Sequence, residues 1–324
     1  MTSPLDPPPT ATLLDLPGLE PDNLLAFLAL LGLLRALETA RPAWRPRTSW
    51  RGPPWVARLH LAETTDEESV ASAAAEGIAS LAAQFDVAGN RNVSQFDPSS
   101  YRTHMLKVRS NETNAALCAA LMAEWPRTKS GGLQAAPLVM MFGQGHQNFL
   151  ERLVDVPRGE LPRRFERLKS PPNMGDPAKI AEALFTSWQR DDDADAFRWD
   201  PEEDQRYALR FDDPSGGGAA LTVHGANRLA AIGFLSFATT PRKRRQKVVG
   251  AMRDERDWFF LWPIWLTPLS RTAIEAFLAH PNIAETTLDE LHKLGVVELF
   301  RAQRIQNGKF MNVTRARPVS NKLR

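Results

Sequence analysis

An uninterrupted apolar stretch runs from Leu24 to Leu34, inside the longer segment 18–40. Apolar residues cover almost every face that a helix would present here, so the segment predicts a helix buried on all sides. Pro21 and Asp22 are helix start signals. A glycine inside a helix costs about 1 kcal/mol relative to alanine, so Gly32 indicates a place where another backbone packs closely.

The spacing of apolar residues along the rest of the chain predicts both helices and strands. Further helices are predicted at 64–85, 111–125 and 176–190. Asp66 is a candidate N-cap for the first of these. Segment 55–61 alternates and predicts a strand, and Asn307-Gly308 between two alternating segments predicts a β-hairpin turn. The chain is expected to be α+β, with a helix-rich N-terminal half and a mixed α/β C-terminal half with hairpins.

Chain length and proline content predict two domains. A length of 324 residues corresponds to about two domains of about 150 residues. The proline-rich residues 1–18 predict a flexible arm. Segment 157–177, rich in proline and charge, is the expected connection between a helix-rich domain at 19–156 and a mixed domain at 178–324. The second domain would carry a basic loop and a basic terminal hairpin.

Composition excludes several classes of protein. Hydrophobic residues make up 43% and charged residues 24%, as in globular proteins. The single cysteine, Cys118, excludes an intrachain disulfide framework and a zinc site built from several cysteines, and its apolar surroundings predict an inert thiol. The longest apolar stretch is too short to span a bilayer, and no Lys or Arg precedes Arg35 as a signal peptide requires. We expect a soluble, cytoplasmic protein with no membrane partner.

Basic residues are concentrated in two segments, although the formal net charge is only +2. Five of the six residues at 242–247 are basic, and 301–324 contains seven basic residues and no acid. Such runs repel themselves unless they are solvated or bound to a polyanion. A solvated loop without a partner is the alternative interpretation. The candidate nucleic-acid-binding residues are Arg242, Lys243, Arg244, Arg245, Lys247, Arg301, Arg304, Lys309, Arg315 and Arg317.

Tryptophans follow the first basic segment closely. Trp258, Trp262 and Trp265 belong to a continuous apolar stretch at 258–265. Aromatic rings beside basic residues can stack on bases or contact a partner protein. A strand this apolar more often lies in the core, and core packing is the favoured interpretation.

Two further segments carry residue types that can support chemistry. The carboxylates between 191 and 213 could hold Mg²⁺ for phosphodiester cleavage, as in a metal-dependent nuclease, but their spacing matches no known metal-binding loop. Gly143, Gly145 and His146 could form a ligand-binding turn before a helix, although the segment lacks the lysine of a P-loop, and a simple helix-start turn is the favoured interpretation. No catalytic residue, metal or cofactor is predicted. A binding or assembly component is expected rather than an enzyme, and a pure protein-interaction subunit is a second alternative.

Four segments, in order, resemble a family of CRISPR-associated large-subunit-like proteins encoded beside type I-U (also called I-G) effector genes. Residues 16–38 resemble the opening helix of such proteins. The other three segments are APLVMMFGQGHQNFLERL at 136–153, FRWDPEEDQRYALRFDDP at 197–214, and VHGANRLAAIGF at 223–234 followed by WPIWLTPLS at 262–270.

The resemblance implies a non-catalytic subunit of an RNA-guided DNA-surveillance complex (Cascade). Its partners would be other CRISPR effector subunits, the guide RNA, the target DNA, and a helicase-nuclease that is recruited to cut. Subunits of this kind help to read the short duplex motif beside the target (PAM recognition) and steady the displaced strand. The family implies no catalytic residue, and no motif-reading residue can be carried over to this sequence.

Overall fold

The computed structural model describes residues 10–88, 97–129, 131–140, 149–162, 165, 168–203, 221–242, 245–254, 257–280, 283, 288–307 and 310–319. The α-helices are α1 (Leu24–Ala40), α2 (Glu67–Ala82), α3 (Pro98–Val108), α4 (Glu112–Leu121), α5 (Phe149–Arg158), α6 (Pro177–Phe185), α7 (His224–Gly233), α8 (Arg271–Ala279) and α9 (Leu288–Lys293). Helices predominate before residue 160 and strands after residue 239, so the predicted α+β class is confirmed.

The strands form small antiparallel sheets. Their bounds are β1 (Thr12–Leu16), β2 (Arg47–Arg51), β3 (Val56–Leu61), β4 (Met122–Arg127), β5 (Leu133–Ala135), β6 (Thr239–Arg242), β7 (Arg245–Val248), β8 (Ala251–Asp254), β9 (Asp257–Trp265), β10 (Val296–Asn307), β11 (Phe310–Val313) and β12 (Arg317–Pro318). One sheet has the order β1-β3-β2, and another has the order β11-β10-β9-β8 with β12 added beside β10. Strands β4-β5 and β6-β7 form two separate hairpins. Asn307 pairs with Phe310, which confirms the predicted terminal hairpin.

Helix α1 lies at the centre of the core. Every residue from Leu24 to Leu37 is buried, as the distribution of apolar residues predicts. The helix packs most extensively against α7. A Cβ atom on Gly32 would lie 1.8 Å from the carbonyl oxygen of Leu229, so the two backbones are in direct contact. The predicted reason for Gly32 is thereby confirmed.

The N-terminus of α1 is held by residues from distant parts of the chain. Asn23 is the cap, because its side-chain oxygen accepts a hydrogen bond from a backbone N–H of the first turn. This corrects the expectation that Pro21 and Asp22 start the helix. Their carbonyl oxygens instead accept hydrogen bonds from Trp262 Nε1 (2.8 Å) and from the N–H of Ala316 (2.9 Å).

The flexible arm expected at 1–18 is wrong for its second half. Residues Thr12–Leu16 form β1 and pair along their whole length with β3. Leu16 is completely buried, so the strand contributes to the core. Residues 1–9 lie outside the described part of the chain.

The connection expected at 157–177 does not separate two cores. A single continuous cluster of buried residues contains α1 and α2 from the expected first domain, and α6, α7 and β9 from the expected second. Helix α6, directly after the expected connection, packs against α2. The helices of both halves therefore stabilise each other.

No helix in the described ranges is both long and apolar enough to cross a membrane.

Candidate nucleic-acid interface

The described residues of the basic segment at 242–247 lie on the two paired strands of a β-hairpin, where the sequence predicts a loop. In the hairpin of β6 and β7, Thr240 lies opposite Lys247, and Arg242 lies opposite Arg245. Residues directly opposite in an antiparallel pair project from the same face of the sheet. Arg242, Arg245 and Lys247 are all exposed, so they form one basic face, which we call the hairpin face. Lys243 and Arg244 lie outside the described residues.

The opposite face of this hairpin is anchored in the protein. Thr239, Gln246 and Val248 alternate with the exposed residues and are buried. The side-chain Nε2 of Gln246 donates a hydrogen bond to the carbonyl oxygen of Gln134 in β5 (2.6 Å). Alternation of basic and buried residues explains both the strand conformation and the position of the charges on one side.

The charges of the hairpin face have no partners within the described part of the chain. No described carboxylate forms an ion pair with Arg242, Arg245 or Lys247. Like charges directly opposite each other on a sheet destabilise it. A polyanion bound at this face would remove the repulsion, because each phosphate neutralises a cation.

A neighbouring hairpin supplies an exposed aromatic residue that the sequence interpretation missed. The helix predicted at 111–125 ends at Leu121, and the residues after it form β4. Trp125 therefore lies on a strand, and its side chain is 38% exposed. The Arg127 guanidinium lies over its ring, 5.8 Å from the centroid. Strand β4 contacts both β6 and β7. The positions of Trp125 and Arg127, two residues apart, are the feature of the sequence that could have predicted a strand here.

Arg315 is unavailable to phosphate, which corrects its assignment as a nucleic-acid-binding residue. Its guanidinium forms ion pairs with Glu20 (2.9 Å), Asp22 (2.7 Å) and Glu202 (2.7 Å). Burial alone would lower the pKa of Arg315, but the hydrogen bond to Glu202 and the charges of Glu20 and Asp22 raise it. The residue joins the chain before α1 to the segment after β11.

The other C-terminal arginines differ in accessibility. Arg304 is largely buried and donates to the carbonyl oxygen of Pro137 (3.3 Å). Burial, together with the charge of Arg253, lowers the pKa of Arg304 to about 10, which leaves the guanidinium charged at neutral pH. Its position in the interior and its hydrogen bond to Pro137, and not a loss of charge, argue against its assignment as a phosphate contact.

Arg301 and Arg317 lie opposite each other on β10 and β12. The Arg301 guanidinium lies 4.7 Å from the centroid of the Phe259 ring, and Arg317 is exposed. Both remain candidates. Lys309 falls outside the described residues.

The three tryptophans of β9 are core residues. Trp258, Trp262 and Trp265 are at most 4% exposed. The Trp262 ring stacks on Phe27, and the Trp265 Nε1 donates to the carbonyl oxygen of Thr48 (2.6 Å). Rings buried in this way cannot stack on bases or reach a partner, so that assignment is wrong and the favoured core interpretation is confirmed.

Four carboxylates between 191 and 203, those of Asp192, Asp195, Asp200 and Glu202, form ion pairs with basic side chains. Asp192 pairs with Lys179 (2.9 Å), and the fully buried Asp200 pairs with Arg190 (2.8 Å). In the described ranges, no group of three His, Cys, Asp or Glu residues could hold a metal ion. Asp204, Asp212 and Asp213 lie outside these ranges, as do Gly143, Gly145 and His146 of the predicted ligand turn.

No known family model matches the chain, and no curated protein matches it.

Proposed function

We propose that the protein binds the phosphate backbone of nucleic acid through the hairpin face, as a non-catalytic subunit of an RNA-guided type I CRISPR surveillance complex. The observation that carries the binding is the exposed set of Arg242, Arg245 and Lys247 on one face, without described carboxylate partners. Membership of the complex is supported by the resemblance of the four segments at 16–38, 136–153, 197–214, and 223–234 followed by 262–270.

Three features favour binding over catalysis. Three of the carboxylates that a nuclease could use, Asp192, Asp200 and Glu202, are paired with Lys179, Arg190 and Arg315. The hairpin face is held in place by the buried residues behind it, so its charges are arranged before a ligand arrives. Backbone contacts of this kind are independent of sequence, as expected where a guide RNA reads the target. We place the protein in the cytoplasm with guide RNA, target DNA, effector subunits and a helicase-nuclease as partners.

The first experiment measures DNA and RNA binding by the purified full-length chain over a range of salt concentrations. Arg242→Gln, Arg245→Gln and Lys247→Gln are combined in one variant. Each lost phosphate contact lowers the slope of log affinity against log salt by about 0.9 for duplex DNA. We therefore expect the variant to lose about 2 to 3 units of slope. A slope equal to that of the wild type would refute binding by the hairpin face.

The matched control removes the same charge elsewhere. Arg109, Lys169 and Lys293 are exposed and lie outside the hairpin of β6 and β7. Their combined replacement by Gln should leave the slope within about one contact of the wild-type value. Equal losses in both variants would indicate a general effect of net charge and not a site.

The second experiment tests membership of the complex. A tagged chain is recovered from the native cell, its partners are identified by mass spectrometry, and the co-purified RNA is sized. A discrete RNA of uniform length with several partner proteins is expected. Recovery of the chain alone, free of RNA, would refute the CRISPR assignment. The salt series would still test whether the hairpin face binds nucleic acid.

A further inference from the structure

Trp125 and the hairpin face lie on neighbouring hairpins. Leu133 and Ala135 of β5 pair with Arg127 and Met122 of β4. The pairing is irregular between Met122 and Arg127, and the backbone of Gln134 accepts the hydrogen bond from Gln246 on the buried side of the basic hairpin. Strand β4, which carries the exposed Trp125, itself contacts both β6 and β7, so the indole lies on a strand next to the hairpin that carries the three cations.

Trp125 is exposed where a tryptophan would usually be buried. Its neighbours in the sequence include Glu124, whose negative charge is already paired with Arg102 (2.9 Å). The ring is covered on one side by the guanidinium of Arg127 at 5.8 Å. Tryptophan faces and guanidinium planes are both surfaces on which unpaired bases stack.

We propose that Trp125 and Arg127 form a base-stacking platform beside the hairpin face, and that the site takes single-stranded nucleic acid. This inference rests on the proposed function and specifies its ligand. Arg242, Arg245 and Lys247 neutralise phosphates of the strand, and an unpaired base of the same strand stacks against the Trp125–Arg127 pair. Duplex bases are stacked on one another and cannot use the platform, so the preference for single strands comes from Trp125 and not from the cations.

The experiment compares binding of a fluorescein-labelled oligothymidylate and of a labelled DNA duplex by fluorescence anisotropy. Loss of one base-stacking contact weakens binding about 5- to 140-fold. We expect Trp125→Ala to weaken oligothymidylate binding by this factor and to leave duplex binding unchanged. Trp125→Phe keeps an aromatic ring and should recover most of the loss. Unchanged duplex binding also shows that the hairpin face is intact in the variants.

The outcomes separate this inference from the proposed function. Normal oligothymidylate binding by Trp125→Ala, with binding lost in the triple Gln variant of the hairpin face, would overturn the platform and leave the proposed function standing. Absence of any binding by the wild-type chain would overturn both.

A second measurement requires no variant. The wild-type chain is irradiated with an oligonucleotide that contains 5-iodouracil, and the crosslinked peptide is identified by mass spectrometry. Crosslinking to the peptide that contains Trp125 is expected. Crosslinks only to other parts of the chain would overturn the platform.

Discussion

Gly32 of α1 and Gly233 of α7 are placed reciprocally against each other's helix. A Cβ atom on Gly32 would lie 1.8 Å from the carbonyl oxygen of Leu229, and a Cβ atom on Gly233 would lie 1.9 Å from that of Leu28. Both carbonyl oxygens belong to the backbone, so neither can rotate away from the added Cβ atom as a side chain could. The two glycines thus allow the central helices of the core to approach more closely than side chains would permit.

Substitution of Gly233 by alanine should therefore destabilise the protein. Overpacking of a rigid core costs about 1 to 3 kcal/mol, and here the helices themselves must separate. We expect Gly233→Ala to lower the free energy of unfolding, measured in urea, by at least this amount. Gly175→Ala is the matched control, since its Cβ atom would meet only Asn173 Oδ1 at 3.5 Å. Equal stabilities of the two variants would contradict the close approach of α1 and α7.

Loss of Arg315 should destabilise the protein and change its response to acid. Arg315→Gln leaves Glu20, Asp22 and Glu202 together without their shared cation. The ion pairs of Arg315 are only partly exposed, between the exposed and the buried case. We therefore expect the free energy of unfolding to fall by about 1 to 2 kcal/mol at neutral pH.

The pH dependence follows from Glu202. Its hydrogen bond with Arg315 holds its pKa below the ordinary value of 4.5. A lowered pKa in the folded state gives stability that is fully present above pH 4.5 and is lost as the pH falls through the folded pKa. Wild-type stability should therefore fall more steeply below pH 4.5 than that of Arg315→Gln. Parallel curves in denaturant unfolding at several pH values would exclude this linkage.

Reversal of one charge on the hairpin face should affect stability and binding in opposite directions. Arg245→Glu would place a carboxylate opposite Arg242, and an opposite-charge pair across strands contributes about 0.2 to 1 kcal/mol. We expect the variant to unfold at higher denaturant concentration than the wild type and to bind nucleic acid more weakly. Arg245→Gln removes the repulsion without adding an attraction. Its stability and its affinity for nucleic acid should therefore lie between those of the wild type and of Arg245→Glu. A less stable Arg245→Glu variant would show that the two side chains do not face each other.

The thiol of Cys118 should not react while the protein is folded. The residue is 2% exposed, and burial together with the charge of Asp86 raises its pKa to about 12. The thiolate is the reactive form, so almost none is present at pH 8. We expect no colour with a disulfide reagent in buffer, and one equivalent of released thiolate in urea. Rapid reaction of the folded chain would contradict this account.

Local patterns predicted the elements whose signals lie close together in sequence. The all-round apolar character of α1, the Asp66 cap of α2 and the alternation of β3 are each contained in one short segment, and all three are confirmed. The burial of β9 follows from the same kind of local pattern.

Features that depend on distant pairing were wrong or missed. Strand β1 exists because β3 pairs with it, and the proline content before it concealed the strand. Arg315 looked like a free cation because its carboxylate partners lie at 20, 22 and 202. Trp125 was assigned to the end of a helix, since the apolar spacing of α4 continues past its last turn.

The hydrogen bonds and ion pairs at the start of α1 also determine when the protein can complete its fold. Asp22 and Arg315 are 293 positions apart. At about 5 to 20 residues per second, a ribosome adds Arg315 about 15 to 60 seconds after Asp22. During that interval the most apolar helix of the chain has been synthesised, but Trp262 and Arg315 have not yet emerged to hold its N-terminus. The N-terminus of α1 therefore gains its last contacts only when the C-terminal part of the chain has been made, after α2 and α7 are already available to cover the rest of the helix.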